Sequence, residues 1–275
     1  MNLAPGQGSW IAKPIAPGVD GRMLVARVAM LRAAGLRVPA VRLDAPNRCL
    51  RIRRVAGVEG RALLHAATDG DAILRLFGRL TAPLIRLHAL DPSPLALPAV
   101  DPGRRVRPRL QGGSALQLRA AELWATLAGP ASSLTAPSRV LHGDYHPGQL
   151  IFGSRAGRPW LLDLDDMACG SPEVDYGNLV AYLASWPALA GEERGPLCDR
   201  LLSRLLAPGG SVRLEPGRLR LATTVALVRR ALKLEERGAD ALLPADLLAL
   251  AERLGAPDGR PGAASLGSSR PSPRT

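Results

Sequence analysis

Between Val140 and Leu164 the chain reads VLHGDYHPGQLIFGSRAGRPWLLDL, and no other stretch restricts the fold so tightly. Val140 and Leu141 lead into a polar loop, His142 to Gln149. Two short apolar runs, Leu150 to Phe152 and Pro159 to Leu164, then flank the turn signal GSRAGR, so the pattern predicts a β-hairpin. Gln149 lies five residues after Asp144, and Asp163 lies nineteen after it, at the far end of the hairpin. Asp165 and Asp166 follow. A loop carboxylate, an amide oxygen and a second carboxylate returned by a hairpin make an oxygen donor set. Hard divalent cations such as magnesium take one or two protein carboxylates together with substrate phosphates. A carboxylate kept off the metal can accept a proton from a hydroxyl nucleophile.

The flanking sequence supplies two kinds of framework. Ser9 to Ile15, Ala40 to Leu43 and Arg48 to Val55 read as strands, the last two joined by the turn residues 44–47. Gly21 to Ala34 reads as a helix, with Leu24, Val28 and Leu31 on one face and Gly35 as its stop. Gly57 and Gly60 mark a hinge-like connection. Beyond it the pattern is helical. Asp71 to Leu90 repeats apolar residues at helical spacing, with Pro83 expected to kink or break it. Residues 91–113, rich in Pro, Gly and Arg, read as an exposed connection. Gln117 to Leu127 is helical. Ser171 as N-cap, Pro172 and Glu173 open a further helix whose apolar face is Leu179, Tyr182, Leu183 and Trp186. Helices over 197–206, 219–237 and 243–254 complete the chain, and the tail 256–275 lacks apolar periodicity and reads as disordered.

Charge adds little. Lys plus Arg number 36 against 24 Asp plus Glu, a formal +12, yet only Lys13 and Lys233 are lysine. Such a ratio, with abundant Ala, Gly and Pro, reflects a GC-rich coding bias. Aromatic residues are 3%, too few for the stacking platforms of single-strand binders, so nucleic acid is not the expected partner. No apolar run reaches membrane-spanning length, and no secretory leader is recognisable. The three scattered cysteines fit neither a disulfide framework nor a zinc site, which points to a reducing, cytoplasmic setting.

The segment HGDYHPGQ, the hairpin and LLDLDD together resemble the catalytic loop and metal site of the aminoglycoside phosphotransferase and choline kinase family, small-molecule kinases with the protein-kinase-like fold. The resemblance spans roughly residues 9–255 and is strongest over 139–186. It implies an α+β, two-lobed architecture with a truncated N-lobe and a mostly helical C-lobe. Residues 1–57 would form a reduced N-lobe, a partial nucleotide-binding sheet plus one helix. Residues 58–255 would form the helical C-lobe, and 256–275 the tail. The implied activity is ATP- and Mg²⁺-dependent phosphoryl transfer to a hydroxyl of a small molecule. The implied roles are Asp144 as catalytic base, Gln149, Asp163 and Asp165 at the metal, and Lys13 on the ATP phosphates. His142, His146 and Asp175 would support the loop, and Leu87-His88 matches the family's LxxLH element. Gly57 to Gly60 would place hinge backbone against the adenine.

The sequence also departs from the family pattern. Gly6-Gln7-Gly8 is too short for the Gly-rich loop that covers the phosphates, the helix at 21–34 has no Glu for Lys13, and Gln149 replaces Asn. These departures motivate a second reading, a catalytically impaired kinase-like binding protein. A third reading takes His142, Asp144 and His146 as a zinc site, but it leaves the LDLDD hairpin unexplained. Arg229-Arg230 and Arg51 to Arg54 read as solvated faces, with contact to an anionic substrate as the alternative; Glu192-Glu193 and Glu235-Glu236 read as solvated surface, with an acidic acceptor pocket as the alternative.

Overall fold

The computed structural model describes residues 9–136, 138–153, 158–208 and 212–256. The expected disorder of the tail and the Gly6-Gln7-Gly8 segment lie outside the described residues, apart from Ala256, which caps the last helix.

Three short strands, β1 (Trp10–Pro14), β2 (Val41–Asp44) and β3 (Cys49–Arg53), form an antiparallel sheet in the order β1-β3-β2. The register sets Lys13 opposite Leu50, so the lysine sits near one end of the sheet. Helix α1 (Gly21–Ala33) packs beside it through Val28 and Leu31. Asp20 caps α1 by accepting from the Arg22 amide, and Gly35, at φ +81°, closes it as the sequence predicts.

The chain then enters the larger lobe. Strand β4 (Val58–Glu59) pairs with β6 (Leu150–Phe152), which pairs with β7 (Trp160–Leu161), and this is the predicted hairpin extended by one strand. Helix α2 (Gly60–His65) leads to α3 (Gly70–Leu87). Pro83 does not divide α3. Ile73, Phe77 and Leu80 before it and Leu84 and Leu87 after it share one fully packed face. Burying each such side chain contributes about 1.5–3 kcal/mol, which together outweighs the roughly 3 kcal/mol an interior proline costs.

Residues 91–113 form the largely exposed connection expected, pinned by a few buried residues. Leu95 and Val106 are buried, and a backbone bridge joins Ala99 to Cys169. Of its arginines, Arg104 and Arg105 reach Asp166 and Asp144, whereas Arg107 pairs with Asp101 and Arg109 with Glu236. Helix α4 (Ala115–Ala131) follows, opened by a capping box between Ser114 and Gln117. Strands β5 (Arg139–Leu141) and β8 (Ala168–Gly170) pair antiparallel and bracket the loop and hairpin between them.

Helix α5 (Glu173–Ala184) begins one residue later than expected, with Pro172 at its cap. It is not amphipathic either. Almost its whole length is buried, because α6 (Gly191–Leu206) and α7 (Pro216–Glu236) pack on it, with α8 (Leu242–Gly255) behind α7. Gly177 makes the α5–α7 approach possible, since a Cβ there would lie 2.7 Å from the Ala222 carbonyl carbon. The core is thus a helical cluster with the loop 142–149 seated on top.

Candidate active site

The loop after β5 is fixed by buried polar groups. Asp175, fully buried on α5, accepts hydrogen bonds from the backbone amides of His142 (2.8 Å) and Gly143 (2.9 Å) and from His88 Nε2 (3.0 Å). His88 caps the end of α3, so one carboxylate ties three segments together. Gly143 is at φ +81°, and a Cβ there would run into the Asp166 carbonyl, so only glycine fits. The His142 ring is buried. Its Nδ1 accepts from the Asp144 amide (3.4 Å), which leaves Nε2 to donate to the Leu162 carbonyl (2.8 Å) and join loop to hairpin. Tyr145, also buried, donates its hydroxyl to the Leu80 carbonyl. His146 Nδ1 accepts from the Gly148 amide (3.1 Å) while its ring stacks on Tyr182 at 5.0 Å. Burial pushes the His146 pKa down to about 4. Both histidines thus spend ring nitrogens on the loop, which removes the basis for the zinc reading.

Asp144 points away from this scaffold and is gripped on both oxygens. Arg229 Nη2 of α7 lies 2.9 Å from Oδ1, and Arg105 Nη1 of the 91–113 segment lies 2.6 Å from Oδ2. Arg105 also bonds Asp166, and Arg104 lies 3.6 Å from Asp166. Burial alone would raise the Asp144 carboxyl, but Arg229 and Arg105 outweigh it and hold the group well below the usual carboxylate range.

Asp163 and Asp165 form a second cluster. Lys13 Nζ lies 2.6 Å from Asp163 Oδ1 and 2.6 Å from Asp165 Oδ2, bridging the two lobes. Burial opposes the Lys13 charge, yet the two carboxylates overcome it and raise the lysine's pKa. Gln149 Nε2 donates to Asp163 Oδ2 at 3.2 Å. Asp163 has φ +54°, a left-handed conformation that a non-glycine residue adopts at a cost and that turns its carboxylate out of the hairpin. Among the described residues no group of three or more His, Cys, Asp or Glu is arranged to hold a metal. The oxygen set here is two carboxylates converging on one cation plus an amide, which suits a hard cation shared with phosphates.

Two clefts, each of about 300 Å³, open on either side of these clusters. The first is an apolar slot between the lobes, walled by Val28, Val41, Leu50, Ile52 and Ile151, with Lys13, Asp163 and Asp165 at its charged end. Arg53 to Val55, rather than Gly57 to Gly60, supply its connecting wall. The second lies within the large lobe, between residues 98–105, α5 and α7. The two meet at Asp165 and Met167, which line both.

Lys13, Asp163 and Asp165 thus line the interlobe slot, Gln149 bonds Asp163, Asp144 is bonded to Arg105 and Arg229 of the second cleft, and His142, His146 and Asp175 bond the loop and hairpin. Sequence reasoning missed Arg105 and read Arg229 as a solvated residue, although the Arg229 side chain is only 18% exposed. The available signal was the helical spacing of Arg229, Lys233 and Arg237 at four residues on the helix after the loop.

A lobe built on a small sheet, a larger helical lobe, and a loop aspartate beside a hairpin aspartate define a protein-kinase-like fold. The chain matches the phosphotransferase enzyme family (APH) over residues 4–208 and belongs to it. Solved structures with this fold include choline kinase LicA from Streptococcus pneumoniae, at 14% identity and TM-score 0.55, covering 90% of this chain and 85% of that one. A microcompartment-associated aminopropanol kinase gives 14% identity and TM-score 0.56 over 92% and 88% of the two chains. A thermostable mutant of aminoglycoside phosphotransferase APH(4)-Ia, solved with AMP-PNP and hygromycin B, gives 16% identity and TM-score 0.58 over 85% and 83%. No curated protein sequence matches the chain. No helix among the described residues is long and apolar enough to cross a membrane.

Proposed function

We propose that this chain transfers the γ-phosphoryl group of ATP, with Mg²⁺, to a hydroxyl of a small molecule in the cytoplasm, and that its two lobes divide between Gly57 and Val58. The observation that carries the reading is the pair of clefts meeting at Asp165 and Met167, with Lys13 on one side and Asp144 on the other. The interlobe slot suits an adenine in its apolar part and phosphates at its charged end.

Lys13 would orient the phosphates as a point charge on a flexible stem. Asp163, Asp165 and Gln149 would hold Mg²⁺, which when bound neutralises charge on the phosphates. Asp144 would orient the acceptor hydroxyl and take its proton as the oxygen attacks phosphorus. His142, His146 and Asp175 keep the loop in place, so Asp144 meets the hydroxyl without reorganisation. Little covalent work falls to the protein; positioning and charge carry the rate. The aminoglycoside phosphotransferase of similar fold was solved with AMP-PNP and hygromycin B, which favours this reading over the binding-protein alternative. In a screen of ADP release over a panel of alcohols, Asp144→Asn should lower turnover by about 10²–10⁴-fold. Thermal denaturation should show the variant folded. Unchanged turnover in a folded Asp144→Asn protein would overturn the reading.

A further inference from the structure

The cleft inside the large lobe is rich in donors whose partners are incomplete. Arg229 is mostly buried, yet among the described residues only its Nη2 is engaged, on Asp144. Arg104 and Arg105 line the same cleft. Asn178 of α5 also lines it, is only 8% exposed, and its Nδ2 has no hydrogen-bond partner among the described residues. A buried donor left unpaired is costly unless a ligand supplies the acceptor.

The acids around the cleft are already matched. Asp101 pairs with Arg107, Asp165 with Lys13, and Asp166 with Arg104 and Arg105. Asp144 takes Arg229 and Arg105. The acids that could have made a pocket for a cation are used elsewhere. Glu193 caps α6, Glu235 accepts from Ser114 beside a separate cleft, and Glu236 pairs with Arg109. Outside the cleft lining, Arg230 bonds only the Ser185 hydroxyl (2.5 Å) and lies over the Tyr182 ring at 4.2 Å, without a carboxylate partner among the described residues. Lys233, one turn beyond Arg229, is close enough to feel Asp144, Arg229 and Arg230 and has no ion-pair partner among the described residues. An ammonium group would meet like charge here. A group with several acceptor oxygens would meet the remaining donors of Arg229, the Arg105 guanidinium already shared by Asp144 and Asp166, and an unpaired amide donor, the donor types that hold carboxylate and phosphate.

We propose that this cavity is a site for a small oxyanion, a carboxylate or a phosphate ester, held by Arg229, Arg105 and the Asn178 amide, and that the acceptor carries such a group besides its hydroxyl. The second half rests on the phosphoryl-transfer reading; the anion site itself does not. An oxyanion bound there would share the guanidinium groups with Asp144. The arginines would then hold the base and the substrate at once, and the acceptor hydroxyl would be set beside the carboxylate that receives its proton.

The test is calorimetric titration of the full chain at fixed ionic strength in a zwitterionic buffer. The probes are glycerate, glycerol 3-phosphate, glycerol and 2-aminoethanol. At least one of the two anions should bind tenfold or more tightly than glycerol, and 2-aminoethanol should not bind. The stronger of the two anions tells carboxylate from phosphate ester. Arg229→Gln and Asn178→Asp should each weaken the anion at least tenfold, and Arg200→Gln, on the outer face of α6 against Asp71, should not. Asn178→Asp keeps the side-chain shape, so the site remains testable if Arg229→Gln fails to fold. Equal affinity for all four probes, preference for 2-aminoethanol, or equal weakening by Arg200→Gln would overturn the site. A parallel titration with AMP-PNP and Mg²⁺ reads the kinase assignment separately. Absent nucleotide binding would remove that assignment while the anion result stands on its own.

Discussion

Two carboxylate clusters face the junction of the clefts, and the cations that hold them differ. Asp144 is held by two arginines of its own lobe, with side chains 14% and 18% exposed for Asp144 and Arg229. Asp163 and Asp165 are held by one lysine from the other lobe, at 41% and 50% exposure. A guanidinium fork fixes a carboxylate in direction as well as charge, while an ammonium is a point charge that another cation can replace. The first cluster is therefore an oriented, permanent part of the lobe. The second is exchangeable: Lys13 now stands where a cation is wanted, and it would be freed for phosphates when another cation takes the carboxylates.

Turnover gives the largest contrast. Asp144→Asn and Asp163→Asn should both reduce phosphoryl transfer by about 10²–10⁴-fold, but for different reasons. Asp144→Asn should bind AMP-PNP with Mg²⁺ as the parent does, because the side chain at 144 is held by Arg105 and Arg229, which do not line the interlobe slot. Asp163→Asn should lose that binding. If the two variants bound the nucleotide equally well, the division of labour between the clusters would be wrong.

The next effect concerns what lies beneath the first cluster. Asp175→Ala removes the acceptor for His142 N, Gly143 N and His88 Nε2 at once, the first and last buried and Gly143 partly so. Leaving buried donors unpaired costs about 1–3 kcal/mol each, so a loss of roughly 3–5 kcal/mol is expected. Urea denaturation measures it. A loss below about 1 kcal/mol would mean that the loop is fixed by something other than this carboxylate.

This contrast also separates what could be read from the sequence. Asp144, Gln149, Asp163 and Asp175 lie within one stretch, and their spacing encodes a loop, a hairpin and a helix start. Lys13 was read from the resemblance of its strand, Trp10 to Pro14, to the family's lysine strand, with the rarity of lysine in this chain as mild support. Arg105 and Arg229 were not legible. They come from segments far apart in sequence, and in a chain with 34 arginines (36 Lys plus Arg less two Lys) another arginine carries no information. The buried anchors of the 91–113 segment left no signal for a related reason. Its prolines and glycines mark turns, yet Leu95 and Val106 pack beneath them, and such isolated anchors leave no periodicity to detect.

A pH series sharpens the comparison further. His146 titrates near 4 when folded, against an ordinary value of 6.5. Between those values the unfolded chain binds a proton that the folded chain does not, so stability falls as pH drops through this window. The shift corresponds to on the order of 3 kcal/mol in full. The depressed Asp144 and Asp163 carboxyls contribute stability above their unfolded values and lose it only at more acidic pH. Between pH 7 and 4.5 the parent should therefore lose about 2–3 kcal/mol more than His146→Gln in urea titrations. Parallel profiles for the two proteins would show that the ring is not held neutral by its burial against Tyr182.

The smallest effect on stability is expected where the lobes are tied. Lys13→Met removes the bridge to Asp163 and Asp165, but all three side chains are a third or more exposed. Exposed pairs of this kind contribute about 0–1 kcal/mol, and salt screens them. The raised lysine pKa adds a sign. The contribution is complete below the unfolded value of about 10.4 and fades as pH rises through the folded value. At pH 7 the variant should unfold within about 1 kcal/mol of the parent, and the two should converge in strong alkali. Its KM for ATP should nevertheless rise at least tenfold, because the phosphates lose their only nearby lysine while the carboxylates remain. A Lys13→Met protein that unfolded easily but kept its KM would overturn the role assigned to the second cluster. The interlobe bridge would then be structural rather than exchangeable.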